Sequence, residues 1–475
     1  MANPVVLIHG YSGKGATFKR WIEVLEEAGH NVAAIHTCNY RTLTNEVTIK
    51  DIAEGFDRAL RIEAGLGEDA EFDAIVHSTG MLVIRAWLSA YAKRRNRLKH
   101  LIGLAPATFG SPLAHKGRSW LGSIFKGEKE FGPDFLEAGD LVLDGLELGS
   151  RFTWDLAHQD MVGDMAGDMA GDMAGDMAGD MVGDMVRDND FYGRSAETPY
   201  VFVFCGTSPY GGLRRLLNEP GTDGTVRLAG CALNSRKITM DLTVEAGVGN
   251  SRTKLGPWSS LDIPLIPIPD LNHGTILAEP SPLLANLVTG ALSVNSPDAF
   301  DEWLENAGKM TEETKRKTGK WQQFVVRVVD ERNDPVPDYH VEVFTEDDRY
   351  VKQFDFDTHT YGGDNSLRCF HVNLDEIHAE DMKSLKVRLI ASSGSKFIGY
   401  YGYGSERIDP ETQTRTPDGK WDAVVDLSAL LNDPENKISF FFPFTTTLIE
   451  IKINREPMPP FGKNELFEFM TVTKP

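Results

Sequence analysis

From Pro4 to about Pro106, short apolar runs alternate with helical patterns: PVVLIHG, ATFKRWIEVLEEAG, NVAAIHT, IKDIAEGFDRALRIEAGL, FDAIVHS, MLVIRAWLSAYAKRR and LKHLIGLAP. This alternation constrains the fold more than any other feature. Antiparallel neighbours can be joined by a tight hairpin, whereas parallel neighbours need a long crossover, usually a helix packed on the sheet. The strand runs are nearly all apolar, as expected where both sheet faces are covered. The fold class of this part is α/β with a mostly parallel sheet.

The alternation stops after Pro106, and residues 108–198 read as an insertion without a clear strand. Inside it, DMVG, four copies of DMAG, DMVG and DMVR run from Asp160 to Arg187. A period of four overshoots a helical turn by about 40°. A Gly in each unit also costs about 1 kcal/mol relative to Ala. The segment 160–187 therefore reads as a low-complexity expansion of a tolerant surface loop. The sharper alternative is a Met-rich lid offering adaptable apolar side chains to an acyl chain. Calcium binding fits less well, because the period lacks the ligand spacing of calcium loops.

Strand-and-helix alternation resumes with YVFVFCGT (200–207) and continues through IPLIPIPDLNHG to PSPLLANLVTGAL, so one sheet spans the insertion. MTEETKRKTGK reads as a charged linker. From Trp321 onward, FVVRVV, YHVEVF, LKVRLIA, KWDAVVDL and TLIEIKI are separated by turn residues, which predicts an all-β sandwich. The expected domains are 1–310 and 321–475.

Acidic residues outnumber basic ones by 70 to 49, a formal charge of -21. That balance disfavours nucleic acid and anionic membrane surfaces as electrostatically held partners. No eighteen apolar residues run together and no basic leader precedes the first strand, so a transmembrane segment is not expected and the cytoplasm is the default compartment. The four cysteines are widely spaced, which predicts buried free thiols and no zinc site. The oligomeric state is left open.

The chemistry concentrates at strand ends. In VHSTG, Ser78 sits where a parallel strand passes into a helix, the place where open α/β sheets bind ligands. Gly80 allows strand and helix to approach closely. The plainer reading of Ser78 is an N-cap. A serine hydroxyl becomes a nucleophile when a base takes its proton and a carboxylate orients that base. Asp223, in the glycine-flanked loop GTDG, and His273, in DLNHG, follow later strands in the order Ser, Asp, His. Singly, Asp223 is also a good turn residue and His273 a plausible cap; Asp270 competes as the orienting carboxylate. The opening LIHGYSGKG offers exposed amides to a developing oxyanion, with the N–H groups of Tyr11 and Thr79 as the donors.

PVVLIHGYSG, VHSTG, GTDGTV and NHG, with LAPATFGSPLA after the following strand, resemble the lipase and esterase branch of the α/β-hydrolase superfamily over residues 1–295. Val76 stands where the family pattern G-x-S-x-G has its first glycine. The resemblance implies Ser78 as nucleophile, Asp223 as acid, His273 as base, Tyr11 and Thr79 as the oxyanion hole, and no metal or organic cofactor. It makes 108–198 a cap over an acyl pocket. The tail resembles immunoglobulin-like accessory domains, and its FFFPF (440–444) reads as core or as an exposed surface for lipid. The expected function is hydrolysis of carboxylic esters, by a lipase or esterase acting on acyl lipids through an acyl-enzyme. Cap and β domain are the expected contacts with a lipid surface. The alternatives are a phospholipase or acyltransferase of the same fold, and a non-catalytic binding protein whose β domain is the functional part.

Overall fold

The computed structural model describes residues 2–91, 95–116, 139–162, 192, 198–211, 218–245, 252–258, 263–346, 349–356, 358–395, 397–403, 420–431 and 439–457. The repeat from 163 to 187 lies outside them. The chain divides into two compact units. The first comprises Met1–Arg236, Pro257–Gln323 and Pro443–Thr446, the second Lys237–Gly256, Phe324–Phe442 and Thr447–Pro475.

In chain order the strands of the first half are β1 (Val5–Ile8), β2 (Ile35–Thr37), β3 (Phe72–His77), β4 (Leu98–Leu104), β5 (Tyr200–Gly206), β6 (Ser235–Asp241), β7 (Thr253–Trp258) and β8 (Leu265–Ile268). Helices α1 (Lys19–Glu27), α2 (Ile49–Ile62) and α3 (Gly80–Ala90) alternate with the first four. The first unit is built on the sheet β2-β1-β3-β4-β5-β8, parallel throughout. Every residue of β1, β3, β5 and β8 is buried, the result of helices on both faces. The run NVAAIHT gives less strand than its composition suggests: Val32–Ala34 forms a 3-10 turn before the three-residue β2.

Chain order and spatial order diverge at one place. The chain goes from β1 to β2 on one side, then returns past β1 to β3 and builds in the other direction. The loops after β1 and β3 therefore part, leaving a crevice at the carboxyl ends of these two strands.

The helices follow from simple patterns. In α2, Ile49, Ile52, Ala53, Phe56 and Leu60 make one buried stripe. Thr48 and Asp51 close a capping box at its start, and Arg58–Glu54 and Arg61–Asp57 pair on the outer face. In α3 every residue from Gly80 to Leu88 is buried. These residues are thus covered all round, with Arg85 inside. The insertion contributes helices Pro112–Lys116, Asp140–Leu146 and Arg151–Val162.

The charged stretch MTEETKRKTGK differs from its reading as a linker. All but its last two residues end the 22-residue helix Pro297–Thr318, which buries Phe300, Trp303, Ala307 and Thr311. Its exposed face carries the i,i+4 pairs Glu305–Lys309 and Glu313–Lys317. A solvated helix face and a linker have the same composition.

The second unit is a sandwich of β9 (Trp321–Asp330), β10 (Tyr339–Phe344), β11 (Thr358–Thr360), β12 (Leu367–Asn373), β13 (Lys386–Ser392), β14 (Ile398–Tyr401), β15 (Lys420–Asp426) and β16 (Thr446–Pro457). One sheet is β10-β13-β15. The other is β11-β12-β9-β16-β6-β7, with β14 beside β16. Strand β13 alternates buried and half-exposed residues, and one core joins the inner faces of both sheets. Phe440 and Phe441 belong to that core, which decides FFFPF in favour of packing for these two. Strands β6 and β7 precede the His273 loop in sequence yet join this second sheet.

Candidate active site

The turn at Ser78 is strained. Its φ is 53°, a left-handed conformation that non-glycine residues seldom adopt. Surrounding hydrogen bonds hold it: Ser78 N–H donates to Leu104 O at 3.3 Å, and Ser78 O accepts from Met81 N–H and Ala107 N–H, both at 3.1 Å. Two glycines make the approach possible. A Cβ on Gly80 would lie 2.6 Å from Ile8 O, and one on Gly10 would lie 2.7 Å from Ser78 Cβ. Val76, fully buried, pairs in register with Gly103 on β4, where a Cβ would meet Met81 Cε of α3 at 2.9 Å.

Three side chains meet at this corner. His273 Nε2 lies 3.1 Å from Ser78 Oγ, and His273 Nδ1 lies 2.9 Å from Asp223 Oδ2. Asp223 reaches His273 twice, since its carbonyl also accepts the His273 N–H at 3.1 Å. Its other carboxylate oxygen accepts the N–H groups of Thr225 at 3.0 Å and Val226 at 2.8 Å, which fixes the loop. Asp223 is fully buried, whereas Asp270 is exposed at a left-handed turn, φ 61°. The structure thus brings Ser78, His273 and Asp223 together and leaves Asp270 outside.

Tyr11 and Thr79 flank the serine. Both are buried, Tyr11 just after Gly10 and Thr79 as the N-cap of α3. An N-cap N–H has no intrahelical acceptor. The Tyr11 loop is pinned by the segment after β2: Ser12 N–H donates to Thr42 Oγ1 at 2.7 Å and Gly15 N–H to Asn39 Oδ1 at 2.7 Å. His9 stacks on Tyr40, with ring centres 4.1 Å apart, and the Tyr40 hydroxyl donates to His9 O.

Sequence reasoning passed over three positioning groups. Ser111 Oγ donates to Thr225 O at 2.5 Å, tying the start of the insertion to the acid loop. The Tyr210 hydroxyl bonds Thr225 Oγ1 at 2.8 Å. The third is His77, whose Nε2 donates to the His273 carbonyl at 2.9 Å. Only its place beside the serine could have marked it.

Burial, and then the neighbouring His273, push the His77 pKa down to about 3. Burial also lowers that of His9. Both imidazoles are neutral near pH 7, so neither opposes a positive charge forming on His273. The lowered value makes a stability prediction. Between about pH 6.5 and pH 3 the unfolded chain holds a proton on His77 that the folded chain does not. Stability should therefore fall as pH drops through that window, by about 1.4 kcal/mol per unit from this group. His77→Gln keeps an N–H donor and removes the titration. Urea unfolding at a series of pH values across that window should give the variant a shallower acid slope. Equal slopes would mean that His77 is protonated in the folded state.

No protein-family model matches the chain, and no curated protein matches it in sequence. Among solved structures, phospholipase PlaB from Legionella pneumophila is similar over 99% of this chain and 98% of its own, at 22% identity and a TM-score of 0.72. The same phospholipase in complex with thio-NAD gives 0.71 over 99% and 97%, again at 22% identity. Similarity of this extent at so low an identity speaks for the fold. Together with the parallel sheet, its switch point and the strained turn after β3, it makes this chain a protein of the α/β-hydrolase fold, joined to a β-sandwich.

Proposed function

We propose that the chain is a serine hydrolase that cleaves carboxylic esters of acyl lipids through an acyl-enzyme. The observation that carries this reading is the continuous chain Ser78 Oγ, His273 Nε2, His273 Nδ1, Asp223 Oδ2, with steps of 3.1 and 2.9 Å, at a strained turn in the crevice of the sheet. A non-catalytic protein has no need to sustain that strain beside a buried imidazole and carboxylate.

His273 accepts the Ser78 hydroxyl proton at Nε2 as Oγ attacks the ester carbonyl carbon. The N–H groups of Tyr11 and Thr79 stabilise the oxyanion, an effect worth about 3–4 kcal/mol per donor in preorganised sites. Asp223 keeps the other imidazole proton on Nδ1 and stabilises the imidazolium. Collapse of the tetrahedral intermediate expels the alcohol, which takes its proton from Nε2. Water then gives a proton to Nε2 and attacks the acyl-enzyme. The acid leaves as Ser78 regains its hydrogen.

The phospholipase among the similar structures spans nearly the whole chain, β-sandwich included, which favours a phospholipid over a triglyceride. The test has two arms. A fluorophosphonate probe should label wild-type protein at Ser78 and leave Ser78→Ala unlabelled. Acid release from a phosphatidylcholine, a triolein emulsion and p-nitrophenyl esters of increasing chain length should be fastest from the phospholipid among the lipids. A folded wild-type chain that takes no label sinks the hydrolase reading. Preference for triolein would overturn only the headgroup.

A further inference from the structure

Helix α3 carries an arginine with a fully buried side chain seven residues after Ser78. Arg85 Nε donates to Asp160 Oδ2 at 2.8 Å, and Nη1 donates to Thr108 O at 2.6 Å. Asp160 is the first residue of the repeat. Its other oxygen accepts from the Tyr192 hydroxyl at 3.3 Å, and Tyr192 lies beyond the last unit. One buried carboxylate therefore joins α3 to both flanks of the repeat. The Asp160 side chain is only 6% exposed, and two charges so placed persist because each neutralises the other.

Thr108 leads from this pair to the site. Thr108 Oγ1 donates to Cys231 O at 2.7 Å, on the short helix Leu228–Cys231 that follows the Asp223 loop. Its chain neighbour Ala107 donates its N–H to Ser78 O. The guanidinium thus grips the peptide that lies between the serine turn and the acid loop. It needs its forked shape to do so, because Nε and Nη1 serve different acceptors.

We propose that Arg85 and Asp160 are a positioning pair for the catalytic centre: they fix Thr108, and with it the Ser78 turn. The inference rests on the ester-hydrolase reading.

The test compares wild type with Asp160→Asn, Arg85→Lys and the uncharged pair Arg85→Met with Asp160→Leu. For each, kcat and KM are measured on a short p-nitrophenyl ester, with the fluorophosphonate labelling rate and the Tm. Displacement of reacting groups by about 1 Å can cost about 10² in rate, so kcat should fall about tenfold or more in Asp160→Asn and Arg85→Lys with KM little changed. The uncharged pair should regain Tm, since no lone charge is left buried, and still lack kcat. Wild-type kcat in the uncharged pair or in Arg85→Lys would reduce Arg85 and Asp160 to a merely structural role and overturn the proposal. A wild-type chain that neither hydrolyses nor labels would instead sink the hydrolase reading, and is recognised before any variant is compared.

Discussion

Ser78→Ala is expected to lower kcat on a soluble p-nitrophenyl ester by about 10⁵ to 10⁶, the scale on which loss of a triad nucleophile acts in other serine hydrolases. Substrate binding should survive, because the methyl group fits the space of the hydroxyl and the amides of Tyr11 and Thr79 remain. The variant should also gain no large stability. Its turn still needs φ near 53° at residue 78, held by the same bonds to Leu104, Met81 and Ala107. Residual activity of about 10³ over water is compatible with oxyanion stabilisation alone. A variant retaining a tenth of wild-type turnover would remove Ser78 from the chemistry and assign the strained turn to another purpose.

Asp223→Asn should cost about 10⁴ in kcat, since the amide preserves shape but favours the wrong imidazole tautomer and cannot stabilise the imidazolium. The reason for the size is geometric. Asp223 Oδ2 faces His273 Nδ1 inside the protein, where water cannot substitute for it. Folding should be retained, because an asparagine Oδ1 can still accept from Thr225 and Val226. Asp270→Asn is the control, and should change kcat by less than about twofold, as expected of an exposed surface group. Both variants are compared on one soluble ester with thermal melts to check the fold. If Asp270→Asn is the crippled one, the orienting carboxylate is Asp270 and the GTDG loop is only a turn.

The parts of the fold that were legible in the sequence rest on local patterns. Apolar runs spaced by helical periods give a parallel sheet because a parallel connection needs a crossover. Ser78 and His273 stood out since each lies just after a strand-like run, where such sheets bind ligands, and Asp223 since it sits in a glycine-flanked loop between two such runs. The linker reading of the segment after Met310 went astray for an equally local reason. Glu and Lys at i,i+4 spacing look like solvated chain until Phe300, Trp303 and Ala307 are seen buried on the other side of the same helix. Arg85 carried no local signal, because its burial depends on α3 being covered on every side from Gly80 to Leu88.

The sequence by itself determined the strand and helix alternation of the first sheet, the chain order of the candidate site residues and the need for a tight turn at Ser78, because periodicity and glycine placement act over a few residues. Only the tertiary structure decided what depends on pairing across long stretches of chain. It set β1 beside β3, which opens the crevice. It placed a buried Asp223 against His273 Nδ1 and left Asp270 exposed. It paired Val76 with Gly103 on the next strand, and it gave β6 and β7 to the second sheet. Each of these joins residues whose separation along the chain carries no local signal, so the free energy that selects them comes from packing and burial of the whole rather than from any one segment.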